Sequence, residues 1–374
     1  MSTTIKGPLN GIRILDLSRL LPGPMATQML ADMGAEVIKI EDPKAQDYSR
    51  FLPPQINGIG VPYLAVNRNK KSITLDLNSE EGKQQFYKLA KTADIVVDSF
   101  RPGVLKKLGI DYDTVKEHNL SIIYVAVTGY GQTGPYKNKA GHDVNYIGYS
   151  GLLGINGKPD EVVMPGVQIA DIAGGSYPAV IACLAALWHK QRSGEGQLVD
   201  VSMVDCTLPF MSFYMLEALN QKKYYRKQEH PLSGSLTNYN IYECKDGKWI
   251  ALGSLEPKFW MGFCSMANKP GWMNKMFDDE TRVEVKAFFK TKDRDDWVAM
   301  ASDQDICLTP IYELSEVEND PYHIERNNFV EVKDPKGGTI KMVNQPIKFT
   351  AFQQQTFTAP PEMGQDNDEI LRNL

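Results

Sequence analysis

At 374 residues the chain exceeds what one ordinary core organises, so two domains, or one large domain with a lobe, are expected. Its 42% hydrophobic and 23% charged content are those of a globular protein, and a net charge of −5 leaves no basic footprint for nucleic acid. The opening MSTTIKGPLNG lacks the apolar core of a signal peptide, and the longest apolar run, Ala179 to Trp188, is half of the ~20 residues a membrane span takes, so a cytoplasmic protein without a membrane span is expected.

The first segment, GIRILDLSRLLPGPMATQMLADMGAEVIKIE, reads as a βαβ unit. The apolar run Ile12 to Leu17 predicts a strand, the stretch ending near Gly34 a helix, and Glu36 to Ile40 a second strand. Such units build a parallel sheet with helices on its faces. The turn holds PGP and not G-x-G-x-x-G, which disfavours a nicotinamide enzyme. SITLDLN, ADIVVDSF and SIIYVAVTGYG add three strands, and SEEGKQQFYKLAKTA between them has helical spacing with Ser79 as its cap.

Just beyond the last of these strands, NKAGHDVNYIGYSG sets His142 between Gly141 and Asp143. Ligands of open α/β sheets bind beyond the carboxyl ends of the strands, so His142 is either half of a proton-transfer pair or a satisfied loop histidine. Next comes GVQIADIAGGSYPAVIACLAALWHKQRSGEG, a helix with His189, Lys190 and Arg192 near its end and Gly194 as its stop. Were Asp171 its cap, Pro178 would fall inside the helix, so Ser176 is the alternative cap and Asp171 then sits in the loop before it. That carboxylate is a simple cap, or a base or nucleophile beside backbone N–H groups of Asp171 to Gly174 that hold an oxyanion.

GQLVDVSMVDC runs from strand towards helix, and the polar stretch from Gln221 to His230 reads as a linker or exposed loop. From Asn238 to Leu314 a mixture of strands and helices predicts a second, smaller domain, in which Glu256 precedes Pro257 as a solvated turn acid or a third functional group. Cys183, Cys206, Cys244, Cys264 and Cys307 are scattered without CxxC spacing, which predicts reduced thiols packed as small hydrophobes and no zinc site. The tail from Lys333 is rich in Pro, Gln and Asp, with extended segments such as PIKFTAFQQ.

Taken in order, these blocks resemble the family III CoA-transferases (CaiB/BaiF) over nearly the whole chain. NRNKKSITLDL, FRPGVLKKLGI, TGYGQTGPY, AGHDVNY, ADIAGGS, SGEGQLVDVSMVD, YECKDGKWIALGSLEPKFW and LTPIYELSEVENDPYHIERNNF carry the likeness along with the first segment. Gly141-His142-Asp143 and Glu256-Pro257-Lys258-Phe259, with no GGGG stretch, resemble the 2-methylacyl-CoA racemase branch. The resemblance implies an α/β fold: a Rossmann-like large domain from both chain ends (1–200 and 319–374), a linker at 201–229 and a small α+β domain at 230–318, in an interlocked homodimer. It implies a 1,1-proton transfer through an enolate, with His142 and Asp171 as opposed bases and Glu256 supporting the histidine. The alternative in the same family is CoA transfer between carboxylic acids with Asp171 as nucleophile.

No separate cofactor is implied, because CoA is carried on the acyl-CoA substrate. Its nucleotide is expected against Thr74, Leu75, Asp76, Leu77, Arg101, Gly141, Asp143, Val144, Asn145 and Tyr146, with Arg68, Lys70, Lys71 and Lys107 available to phosphates or simply forming a solvated basic face. Two departures from the racemase pattern stand out. Asp42 is followed by Pro43 and Lys44 where racemases commonly carry an arginine, and HPLSGSLTNYNIY replaces a stretch that shapes the acyl pocket.

Overall fold

The computed structural model describes residues 7–352, 356–372 and 374. Residues 1–6, on which the signal-peptide reading partly rests, and Gln353 and Gln354 of the tail lie outside the described residues. The chain divides into two compact units, one formed by Met1–Gly151, Pro165–Ser212 and Asn327–Leu374, the other by Leu152–Met164 and Phe213–Arg326.

A six-stranded sheet organises the first unit: β1 (Arg13–Asp16), β2 (Glu36–Glu41), β3 (Lys70–Thr74), β4 (Ile95–Asp98), β5 (Ile123–Thr128) and β6 (Leu198–Ser202). All pair in parallel, in the order β6-β5-β4-β1-β2-β3. This is the doubly wound, Rossmann-like order, whose winding reverses between β1 and β4 and opens a crevice at their carboxyl ends. Side chains alternate across the sheet because the strand period is two. Ile14, Val37, Ile95, Val97 and Val125 form one core with α1 (Pro22–Asp32), while Leu15, Ile38, Ile73, Val96 and Tyr124 form the other under α2 (Glu80–Thr92). Ser79 caps α2 as its position predicts, its hydroxyl accepting the Gly82 N–H at 3.0 Å.

Helices α3 (Asp143–Tyr149), α4 (Tyr177–Ser193) and α5 (Met203–Thr207) follow β5 and β6 along the chain. With the turns before it, α4 belongs to a continuous helix, Ile169–Ser193, of 25 residues, which is long and apolar enough to cross a membrane. The linear sequence did not predict a helix of that length. Ala179, Val180, Cys183 and Ala186 nevertheless form a buried stripe within the core of the sheet, the position of a core helix. Residues 201–229 carry α5 and α6 (Ser212–Gln221).

The second unit holds the antiparallel strands β7 (Tyr239–Glu243), β8 (Trp249–Gly253) and β9 (Leu308–Ile311), in the order β7-β8-β9. Helices α7 (Pro257–Met266), α8 (Asp279–Phe289) and α9 (Arg294–Ala301) close an aromatic core around Tyr242, Trp260, Phe263, Phe289 and Trp297. The cysteines are all free; Cys183, Cys244 and Cys264 are buried as expected, but Cys307 is exposed and so is not a packed hydrophobe.

Candidate active site

The His142 loop is held by a tyrosine ring passing between two glycines. A Cβ on Gly141 would lie 2.7 Å from Cε1 of Tyr146, and one on Gly129, just past β5, would lie 2.3 Å from the same atom. Only hydrogen fits at either position. The Tyr146 hydroxyl donates to the Gly141 carbonyl, and Tyr130 packs edge-on against the ring at 5.2 Å between centroids. His142 itself is the N-cap of α3: its backbone N–H donates to Asn145 Oδ1 at 3.0 Å, and its side chain is exposed.

Asp171 sits neither at the helix cap nor in a loop before it, the two places that the sequence left open. The helix starts at Ile169, passes through Asp171 and then makes one π turn, Ile172–Ser176, before α4 begins. The π turn shifts the hydrogen-bond register, so Pro178 falls at the start of an α-helical segment, where a missing N–H is tolerated. Ser176 makes no side-chain cap; its hydroxyl lies 2.9 Å from the Pro22 carbonyl. The oxyanion expectation also needs correction, because the Asp171 N–H donates to Asp143 Oδ1 at 3.0 Å and the Ile172 N–H to the Gln168 carbonyl at 3.0 Å.

Asp143 therefore joins the two predicted groups, being next to His142 in the chain and bonded to the backbone of Asp171. Burial first, and then the negative charge of Asp143, push the Asp171 carboxyl up from 3.8 to about 7. Tyr146 is pushed up to about 12, by burial first and then by Asp171, while the charge of Arg101 acts on it in the opposite sense. Arg101 thus belongs to the same electrostatic neighbourhood, and Val144 and Asn145 on α3 are exposed.

The expected CoA contacts divide. Leu75 and Leu77 point into the sheet core, the Thr74 N–H and hydroxyl both bond the Asn367 side chain, and half-buried Asp76 pairs with Lys44 at 2.9 Å. Lys44, one of the two departures, is therefore a partner of a predicted site residue. Three of the four candidate phosphate cations are committed elsewhere. Arg68 is buried against Asp32 at 2.7 Å and over the Phe357 ring, and Lys70 is buried against Asp16 at 3.0 Å. Lys71 bridges Glu36 and Glu369, which leaves Lys107 as the exposed candidate. A solvated basic face was the alternative for these cations, and burial excludes it for Arg68 and Lys70.

Glu256 lies in the second unit, exposed at the N-cap of α7, where its carbonyl accepts the N–H groups of Phe259 and Trp260. The departing stretch HPLSGSLTNYNIY contributes Asn238 to that unit's interior, its amide donating to the Ser254 carbonyl at 2.7 Å. Sequence reasoning passed over Asp98, at the carboxyl end of β4. It is buried, accepts the Phe100 N–H at 2.8 Å and is raised by burial to about 7. It lines a cleft of about 280 Å³ with Arg101, Gln132 and Lys137. The available signal was an acid closing the apolar run of ADIVVDSF, at the crevice where the winding reverses.

Comparison with known proteins places this architecture. The profile described as CoA-transferase family III matches residues 9–367. A succinyl-CoA:glutarate CoA-transferase of Mus musculus is 32% identical over 98% of this chain and 86% of its own length. The alpha-methylacyl-CoA racemase of Homo sapiens is 29% identical over 98% of this chain and 93% of its own. A crystal structure of a CAIB/BAIF family protein from Brucella suis superposes with a TM-score of 0.86 at 28% identity, covering 98% of this chain and 99% of that one. Matched by the family profile along nearly its full length, the chain belongs to family III of the CoA-transferases.

Proposed function

We propose that the protein inverts the α-carbon of a 2-methyl-branched acyl-CoA by removing a proton from one face and returning one to the other. The observation that carries this reading is the Asp143 link between His142 and Asp171, two groups suited to moving protons in both directions. An imidazole has one nitrogen that accepts a proton and one that donates. A carboxyl raised to about 7 also does both, whereas one at 3.8 would take a proton poorly and hardly ever hold one to give back. The thioester carbonyl acidifies the α-hydrogen; one base removes it, the enolate forms, and the conjugate acid opposite returns a proton. CoA enters as part of the substrate. The similarity to the human racemase agrees with this reading.

α-Hydrogen exchange followed by NMR tests it, with (R)- and (S)-2-methylacyl-CoA offered separately in D₂O and no acceptor acid present. Deuterium is expected from both enantiomers with convergence to a racemate, and His142→Ala should lower exchange by about 10² to 10⁴. Absence of exchange from either ester overturns the reading.

A second reading, CoA transfer between carboxylic acids, is favoured by the similarity to the mouse transferase. The Asp171 carboxylate would then attack the thioester carbonyl, forming an acyl anhydride as CoA thiolate leaves. Hydroxylamine trapping of an Asp171 adduct, with CoA passing to an added acid, would support it over racemisation.

A further inference from the structure

Asp171 is held through its own peptide groups. Its N–H is taken by Asp143, and its carbonyl lies 3.1 Å from the hydroxyl of Ser176. The same hydroxyl lies 2.9 Å from the Pro22 carbonyl in the first turn of α1, and Ser176 is fully buried. One hydroxyl proton is thus shared between α1 and the residue that carries the acting carboxylate. The π turn between them has little freedom to shift. A Cβ on Gly174 would sit 2.3 Å from Thr207 Oγ1 and 2.9 Å from the Met203 carbonyl, so α5 presses directly on its backbone. Gly175 also packs against α1, a Cβ there lying 2.9 Å from the Pro22 ring.

We infer that Ser176 is a positioning residue for Asp171, its hydroxyl fixing the aspartate's carbonyl against α1 so that the carboxyl stays in its buried setting. This rests on the proposal that Asp171 is the acting carboxylate, and holds for either reaction above. π turns recur at functional sites, and here the turn sets the direction of Asp171 relative to α4. The charged and titratable groups facing Asp171 are Asp143 and Tyr146, both on α3; α5, packed beside it, carries Asp205, whose charge acts on Cys206 and Asp200.

The test is Ser176→Ala, measured in whichever reaction the wild type performs. With the hydroxyl gone Asp171 drifts from its buried setting, and small misplacements of a reacting group cost up to about 100-fold in rate. The expected result is a fall in kcat of between about 10- and 100-fold with KM within about twofold. Because burial is the chief reason the carboxyl titrates high, its titration should also move to lower pH. That is read by ¹³C NMR of labelled aspartate, the Asp171 resonance being assigned by its loss in Asp171→Asn. A folded Ser176→Ala protein with unchanged kcat and unmoved titration overturns the inference. Should that variant fail to fold, Ser176→Cys, close in size with a weaker donor, is judged by the same two readings. If the wild type catalyses neither reaction the proposed function falls, while the carboxyl titration still decides the role of Ser176.

Discussion

Replacing Asp143 by Asn removes a negative charge beside Asp171 yet keeps an oxygen to accept the Asp171 N–H, now 3.0 Å away. In the wild type the Asp171 carboxyl stands near 7 against an ordinary 3.8, a rise of about three pH units worth about 4 kcal/mol. Burial is the larger cause and Asp143 the smaller, so the charge accounts for less than half of that rise. Its loss should lower the Asp171 titration by about one pH unit, or about 1.4 kcal/mol. The sign follows from the chemistry. Where Asp171 removes the proton it must be ionised, so the acidic limb of kcat/KM falls from about pH 7 to about pH 6; where it returns the proton, the basic limb moves down by the same amount. Rate profiles from pH 5 to 9 with each enantiomer check this. Limbs that stay in place, or move up, would refute the electrostatic coupling of Asp143 to Asp171. Asp143→Ala, which also removes the acceptor, should lower kcat beyond any shift of the limbs.

Lys70 donates to Asp16, to the Pro24 carbonyl and to Asn67 within the interior, so Lys70→Met should cost about 3 to 5 kcal/mol in urea denaturation. Asp16→Asn/Lys70→Met should recover part of the loss, and a double variant no more stable than the single one would contradict the pairing. Asp98 is raised by burial to about 7 from 3.8, so the folded state bears a penalty that is absent below pH 3.8, grows as pH rises and is complete above 7. Asp98→Asn should therefore stabilise the protein at pH 8 by up to about 4 kcal/mol, with the gain gone below about pH 4; equal stabilisation at both pH values would exclude the buried charge as its source. Ile181, Leu184 and Trp188 on α4 are exposed, as are Phe213, Leu216 and Leu219 on α6. Such apolar surface fits the two-fold dimer that the family resemblance implies, so light scattering should return twice the monomer mass, and a monomer would count against it.

The sequence alone determined the strands of the parallel sheet, the Ser79 cap and the Gly194 stop, because these depend on local periodicity and on the backbone preferences of single residues. It also picked out His142 and Asp171, since the βαβ pattern marks the segments beyond the strand ends and the family blocks contain both residues. Tertiary structure decided what those residues can do. Asp143 reaches Asp171 across 28 positions of the chain, and burial lifts the carboxyl towards neutrality, neither of which any local pattern records. It also withdrew Arg68 and Lys70 from phosphate binding, because a cation in the sequence looks the same whether it faces solvent or a buried carboxylate. The π turn behind Asp171 belongs with these: Pro178 left a cap or a loop open for Asp171, and in the fold that stretch is helix, with α1 and α5 packed against Gly174 and Gly175.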